Sequence, residues 1–333
     1  MSDSEVKYIA DKIFTLKEGN EFENAALKIF RYQAGHCQVY KEFLGYLRTD
    51  IKKIDSIYQI PFMPVVFFKT KKIYCSEKVP DHIFYSSGTT GTTTSKHYVN
   101  DLSLYEKSFA SCFKLFYGKI SDYRLLALLP SYLDRKGSSL VYMVKHLINI
   151  SGHSESGFYL NNIDELAEKL SELEKHNTKV LLIGVSFALL ELAEKYRLNL
   201  KNTVIMETGG MKGTRKELTR AELHSILIDR LGTGLIHSEY GMTELLSQAY
   251  SYGNGAFGPP PWMKILVRDI YDPFTYLGAG KAGGMNIIDL ANIWSCSFIE
   301  TQDIGRLDNK GQFEVEGRID SSDIRGCNLM VQE

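Results

Sequence analysis

Cysteine is scarce in this chain of 333 residues, odd in number and scattered: Cys37, Cys75, Cys112, Cys296 and Cys327. No two are spaced as a CxxC pair, which excludes a zinc ribbon and argues against a disulfide framework. Reduced thiols in a soluble, cytoplasmic protein are the expectation. An apolar run of membrane-span length, ~18 residues, is missing too; the longest runs, 125–130 and 180–185, are strand-sized. The opening residues carry Asp3, Glu5, Lys7, Asp11 and Lys12, so the apolar core of a secretory leader is also absent. Neither charge sign dominates: 39 Lys and Arg meet 40 Asp and Glu, for a net charge of −1. With a pI of about 6.7, capture of nucleic acid by bulk charge is excluded. A hydrophobic fraction of 44% excludes a disordered chain. Internal repeats and low-complexity stretches are lacking, which excludes a solenoid.

What is present reads as three regions. Residues 1–60 read as helical, with apolar residues at helical spacing in Val6, Ile9, Ala10, Ile13 and Phe14, then Ala25, Ala26, Ile29 and Phe30. Pro61 and Pro64 end that pattern. Over 61–260 short apolar runs alternate with amphipathic stretches. Strands are predicted at His82–Tyr85, Arg124–Leu129, Lys179–Val185, Thr203–Glu207 and Gly234–Ser238. Helices are predicted at Leu102–Phe116, Ser139–Ile150, Asp164–Lys175, Ser186–Tyr196 and Lys216–Leu231. Such alternation implies an α/β class, a doubly wound and mostly parallel sheet covered on both faces. Residues 261–333 read as a β-rich subdomain, with strands at Lys264–Val267, Gly284–Asp289, Ser297–Glu300 and Gln312–Val315.

Five segments carry the chemistry. The first runs from Tyr85 to Lys96, YSSGTTGTTTSK, behind a predicted strand. Its glycines admit close backbone approach, and its hydroxyls, backbone N–H groups and Lys96 suit phosphate oxygens. It is not a Walker loop, because Ser95 stands where that motif has glycine. A plain Ser/Thr/Gly surface loop is the other reading. The second is His237–Glu244, HSEYGMTE. There Thr243 beside Glu244 suits Mg²⁺ with nucleotide phosphates, and a solvated helix start with Glu239 and Glu244 exposed is the alternative. The third, Met206–Gly210, brings a strand into a glycine pair on which a flat base could stack, or into an ordinary turn. The fourth, Glu300–Leu307, places Asp303 where it could accept ribose hydroxyls or make an Asx turn. The fifth, Glu316–Asn328, is unusually polar and includes Cys327. Cys296 fits a core strand. His97 and His237 flank site motifs, and each reads equally well as structural or as touching a ligand.

In this order, YSSGTTG, TGG, EYGMTE, TQDIGRL and GRIDSSDIRG resemble the adenylate-forming superfamily over residues 80–333. YVNDLSLY (Tyr98–Tyr105) is similar to its phenylacetate–CoA ligase branch. HSEYGMTELLSQAYS and IRGCNL look most like the acyl-protein synthetase, or long-chain-fatty-acid luciferin-component ligase, family of bacterial luminescence systems. The resemblance implies ATP and Mg²⁺ as cofactors and a carboxylic, fatty acid as substrate. It implies that Ser86, Ser87, Gly88, Thr89, Thr90 and Gly91 grip the ATP phosphates. Glu244 would bind Mg²⁺ and Thr243 the α-phosphate or adenylate. Gly209, Gly210, Tyr240 and Gly241 would flank the adenine, and Asp303 and Arg318 would hold the ribose. Cys327 would receive the acyl group, with Arg325 lowering its pKa.

Two departures accompany the resemblance. The usual loop lysine position holds Thr93, with Lys96 three residues on. The superfamily's mobile C-terminal lid, with its lysine, is expected to be missing, because 15 residues follow Arg318. Another cation would then serve, and Lys96, Lys212 and Arg325 are candidates. The expected activity is formation of an acyl-adenylate, then transfer to a thiol and onward to a protein partner such as a reductase or carrier protein. A ligase charging coenzyme A or a carrier phosphopantetheine, and a catalytically silent nucleotide- or acyl-binding module, are the alternatives. Phe257, Pro259, Pro260, Pro261 and Trp262 are placed by position to line an acyl pocket.

Overall fold

A computed structural model describes residues 3–16, 19–86, 93–129, 137–160, 162–209 and 218–319. Its helices are α1 (Asp3–Lys12), α2 (Asn20–His36), α3 (Gln38–Tyr46), α4 (Phe67–Thr70), α5 (Leu102–Tyr117), α6 (Ser139–Ser151), α7 (Ile163–Lys175), α8 (Ser186–Lys195) and α9 (Arg220–Leu231). Its strands are β1 (Met63–Pro64), β2 (His82–Tyr85), β3 (Lys96–Val99), β4 (Arg124–Leu128), β5 (Gly157–Tyr159), β6 (Val180–Val185) and β7 (Thr203–Thr208). They continue with β8 (His237–Tyr240), β9 (Ala249–Ser251), β10 (Ala256–Phe257), β11 (Met263–Arg268), β12 (Gly283–Asp289), β13 (Phe298–Leu307) and β14 (Phe313–Arg318). Two compact units share the chain. Described residues up to His82, Ser95–Asp101 and those from Pro261 onward form one; Ile83–Thr94 and Leu102–Pro260 form the other.

The second unit holds a sheet in the order β5-β4-β6-β7-β8-β9. All neighbours from β5 to β8 run parallel, and β9 closes the edge antiparallel to β8. Its central strand β6, VLLIGV, is buried at every position, as a strand covered on both faces must be. The helices bury narrow stripes: α7 turns Leu166, Ala167, Leu170 and Leu173 inward, at helical spacing. Helix α9 starts with a capping box, Thr219 bonding the Glu222 backbone while the Glu222 side chain returns to Thr219. It ends at Gly232, φ +68°, which a side chain would strain.

The first unit is built on β11, β12, β13 and β14, consecutive and antiparallel, with β1 parallel to β13. Helix α2 buries Phe22, Ala25, Ala26, Ile29, Phe30 and Gln33. Phe30, Tyr40 and Phe62 all pack on Phe298 of β13, with ring centroids 5.9–6.4 Å apart. Gln33 satisfies backbone in the β12–β13 connection, donating to Asn292 O and accepting from Ser297 N, both at 3.0 Å. No helix among the described residues is long and apolar enough to cross a membrane.

The α/β class with a mostly parallel sheet and a β-rich C-terminal region is the fold observed. Some boundaries differ from the sequence expectation. The strand read over Gly234–Ser238 stands at His237–Tyr240, because pairing to β7 starts at His237 opposite Met206. The strand read at Ser297–Glu300 runs on to Leu307. Its polar Thr301 and Asp303 point inward, 1% and 6% exposed, where a sequence pattern expects apolar residues. The helix read from Lys216 is described from Arg220.

Candidate active site

Parallel crossovers bring the C-terminal ends of β6, β7 and β8 side by side, and this is the edge at which open α/β sheets take ligands. Ser186 follows β6 directly, Thr208 and Gly209 close β7, and Tyr240 to Glu244 leave β8. Gly209 adopts φ +77°, a conformation that glycine reaches without strain. In the register just before it, Thr208 pairs with Glu239 and Glu207 pairs with Ser238.

Because side chains alternate along a strand, Glu207 and Glu239 take opposite faces of this sheet. Glu207 faces α8 and α9. It accepts from Ser186 Oγ at 2.9 Å and from Ser238 Oγ at 2.9 Å. Arg220 Nε lies 3.4 Å and His224 Nε2 3.6 Å from its Oε1. Burial alone would push this carboxyl up, but His224, Arg220 and the two serines outweigh it and hold Glu207 below the usual value, hence ionised. Glu239 faces the other way, toward Tyr105 and Tyr250. Burial pushes it up to about 7, against the Thr208 hydroxyl that donates to it at 2.5 Å and with the Glu207 charge adding to the rise. Two buried carboxyls on neighbouring strands are thus shifted in opposite directions, one on each face of the sheet.

The turn after β8 is equally constrained. A methyl on Gly241 would lie 2.4 Å from Glu239 Oε1, so any larger residue there would have to displace that buried carboxyl. Tyr240 packs edge-on against Phe257, centroids 5.9 Å apart, and the Arg220 guanidinium lies 5.1 Å from the same Phe257 ring. Thr243 is half-buried and Glu244 is 7% exposed. A solvated helix start does not describe this segment: 237–240 is strand, and Glu239 and Glu244 are both buried. One carboxylate beside a hydroxyl fits Mg²⁺, which completes its shell with phosphate oxygens and water. Among the described residues no cluster of three or more His, Cys, Asp or Glu side chains could hold a metal unaided.

Strand β2 leads to Ser86. Phe84 is locked between Tyr105 and Tyr142, centroids 5.2 and 5.6 Å away, and Tyr85 N donates to Gly137 O at 2.8 Å. The remainder of the hydroxyl loop, 87–92, lies outside the described residues, as do Gly210, Lys212, Arg325 and Cys327.

In the first unit, Asp303 and Arg318 face each other across β13 and β14, with Arg318 Nε 2.9 Å from Asp303 Oδ1. Thr301 Oγ1 accepts from Asp303 N at 3.1 Å and donates to Met285 O at 2.8 Å, tying Asp303 to the irregular step in β12. Lys96 begins β3 in the same unit and is exposed. His97 is a core residue, 2.9 Å from Ser295 Oγ and edge-on to Phe68. His237 is held near 4 by burial, and its Nδ1 lies 3.1 Å from Tyr117 Oη. Cys37, Cys75, Cys112 and Cys296 are buried free thiols. Trp262 packs edge-on against Phe14, centroids 5.0 Å apart.

Sequence reasoning passed over Ser186, Arg220 and His224, and it quoted Glu207 only as part of a strand end. The one available signal was a glutamate directly after the apolar Val204, Ile205 and Met206 of β7.

This arrangement of sheet and edge turns is a fold shared with solved ligase and synthetase structures. ATP-bound MatB from Rhodopseudomonas palustris superposes with a TM-score of 0.53 at 17% identity, covering 73% of this chain and 49% of that one. A long-chain-fatty-acid–CoA ligase (FadD1) from Archaeoglobus fulgidus gives 0.52 at 17% identity, with coverage of 74% and 53%. O-succinylbenzoate coenzyme A synthetase (MenE) from Bacillus subtilis, in complex with AMP, gives 0.52 at 17%, with 74% and 51%. The chain spans about half the length of the solved structures it matches. No curated protein sequence matches it. The family is defined more narrowly than the fold: residues 14–333 match the acyl-protein synthetase family, LuxE, and the chain belongs to that family.

Proposed function

We propose that this protein activates a fatty acid with ATP and Mg²⁺ to an acyl-adenylate, and then passes the acyl group to a thiol. The family match over residues 14–333 carries the reading, and the adjoining turns at Thr208–Gly209 and Tyr240–Glu244 support it. A carboxylate oxygen attacks the α-phosphorus of ATP. The bond from that phosphorus to the bridging oxygen breaks, and pyrophosphate leaves. No general base is required, because the nucleophile is already ionised. The need is for positioning and charge neutralisation.

The roles are those that the resemblance of the motifs implies. Ser86, with Ser87 to Gly91, grips the phosphates. Gly209, Gly210, Tyr240 and Gly241 flank the adenine, Thr243 touches the α-phosphate and Glu244 holds Mg²⁺. Asp303 and Arg318 take the ribose, and Lys96 supplies a cation. In the second step the Cys327 thiolate attacks the acyl carbonyl carbon, the bond to the phosphate oxygen breaks, and AMP leaves. The thioester then passes its acyl group to a protein partner. The four buried free thiols favour a reducing, cytoplasmic setting.

The test of the first step is ATP–pyrophosphate exchange across a panel of fatty acids. Acid-dependent exchange is expected; its absence with every acid, in folded protein, overturns the reading. For the second step, Cys327→Ser labelled with radioactive acid and ATP should retain exchange and lose the hydroxylamine-sensitive label. A label that survives places the acceptor elsewhere. Release of label to added coenzyme A would identify a soluble thiol as the acceptor.

A further inference from the structure

Ser186 stands on the first turn of α8, 2% exposed, and its hydroxyl has two acceptors within reach. One is Glu207 Oε2 at 2.9 Å, and the other is the backbone carbonyl of Gly209 at 3.0 Å. A serine hydroxyl has one proton, so the two acceptors share it. Glu207 is itself fixed from three directions: Ser238 from β8, and Arg220 and His224 from α9. Arg220 in turn lies over Phe257, whose ring packs on Tyr240.

We propose that Glu207 and Ser186 are positioning residues that set the Gly209 peptide on which the base of ATP stacks. The inference rests on the adenine role given to Gly209 and Tyr240 above. The Gly209 carbonyl lies just beyond the end of β7, and Ser186 restrains it from the neighbouring strand end. The ionised Glu207 keeps Ser186 in place, because a hydroxyl bonded to a carboxylate is held more strongly than one bonded to a neutral acceptor. The same carboxylate ties α9, through Arg220, to the ring that supports Tyr240. One buried charge therefore links the two sides of the proposed base site, the Gly209 turn and Tyr240.

The consequence is specific to the base. Ser186→Ala removes the shared donor with little change of volume. Glu207→Gln keeps the shape and removes the charge. Both should raise the KM for ATP about tenfold, the scale set by losing one buried hydrogen bond. The KM for the fatty acid should stay within twofold. Inorganic tripolyphosphate, which carries the phosphates without a base, should inhibit parent and variants with the same Ki. Leu170→Ala, a core truncation in α7 away from these groups, controls for simple destabilisation and should lower Tm without moving the ATP KM. An unchanged ATP KM in both variants overturns the proposal, as does an equal loss of tripolyphosphate affinity. Equilibrium dialysis with labelled ATP separates the two claims. Parent protein that binds ATP without catalysing exchange overturns the activity while still testing the positioning through Kd. Parent protein that binds no ATP overturns both.

Discussion

Arg318 donates from Nε to Asp303 Oδ1 at 2.9 Å, so the two residues assigned to the ribose already hold each other across β13 and β14. The pair is lopsided in exposure: the Asp303 side chain is 9% exposed and that of Arg318 46%. A half-exposed ion pair contributes little stability, ~0–1 kcal/mol. Its presence orients the carboxylate.

Arg318→Ala is therefore expected to separate binding from folding. Its unfolding free energy in urea should fall by about 1 kcal/mol or less. The KM for ATP in the exchange reaction should rise about tenfold, the effect of losing a charge-assisted contact. A large stability loss with unchanged KM would make the pair purely structural.

Glu244→Gln should act through the metal. The amide retains shape and gives up the charge that Mg²⁺ requires. Titrating Mg²⁺ at fixed ATP, the half-maximal concentration should rise at least about tenfold. Saturating Mg²⁺ should restore part of the rate. An unshifted Mg²⁺ curve would assign the ion to other ligands.

Glu239 should leave a signature in stability against pH. In the folded protein it keeps its proton up to about 7, because burial penalises the carboxylate. In the unfolded chain a glutamate loses its proton near ~4.3. Between those values the unfolded state binds fewer protons than the folded one. This group's stabilisation is thus complete below the unfolded value and is lost as pH rises to about 7. The loss is on the order of 3 kcal/mol. Urea unfolding at pH 4.5 to 8 should show that decline in the parent and a flatter profile in Glu239→Gln. Parallel profiles would show that Glu239 does not titrate in this window.

Gly232→Ala tests the fold away from the site. At φ +68°, a Cβ would lie 2.6 Å from Leu198 O and 2.7 Å from the Asn199 Cα. Both contacts are backbone and cannot swing aside. The substitution should cost about 1–3 kcal/mol in unfolding free energy. Gly234→Ala, with nothing within 4 Å, should cost far less and serves as the comparison.

Much of the fold was legible in the chain alone. The run VLLIGV could hardly be anything but a buried strand, and α7 shows its stripe at Leu166, Leu170 and Leu173. The ordered motifs led to the family. Strand β13 was harder to read, because Thr301 and Asp303 point inward and break the apolar alternation that marks a strand. Glu239 was harder still. By composition HSEY resembles a solvated segment, and burial makes its carboxyl unusual.

Local order therefore determined the elements, their period and the residues that stand at strand ends, since these depend on neighbours along the chain. The partnerships at the site depended on register. Ser186 meets Glu207 across 21 residues and Ser238 meets it across 31, spacings that no local periodicity links. Parallel pairing of β6, β7 and β8 set those meetings. The same register gave Glu207 and Glu239 opposite faces of one sheet, and with them shifts in opposite directions. A shift of one residue in the pairing of β8 would turn Glu239 onto the face that Glu207 occupies, which is why tertiary structure alone could assign their environments.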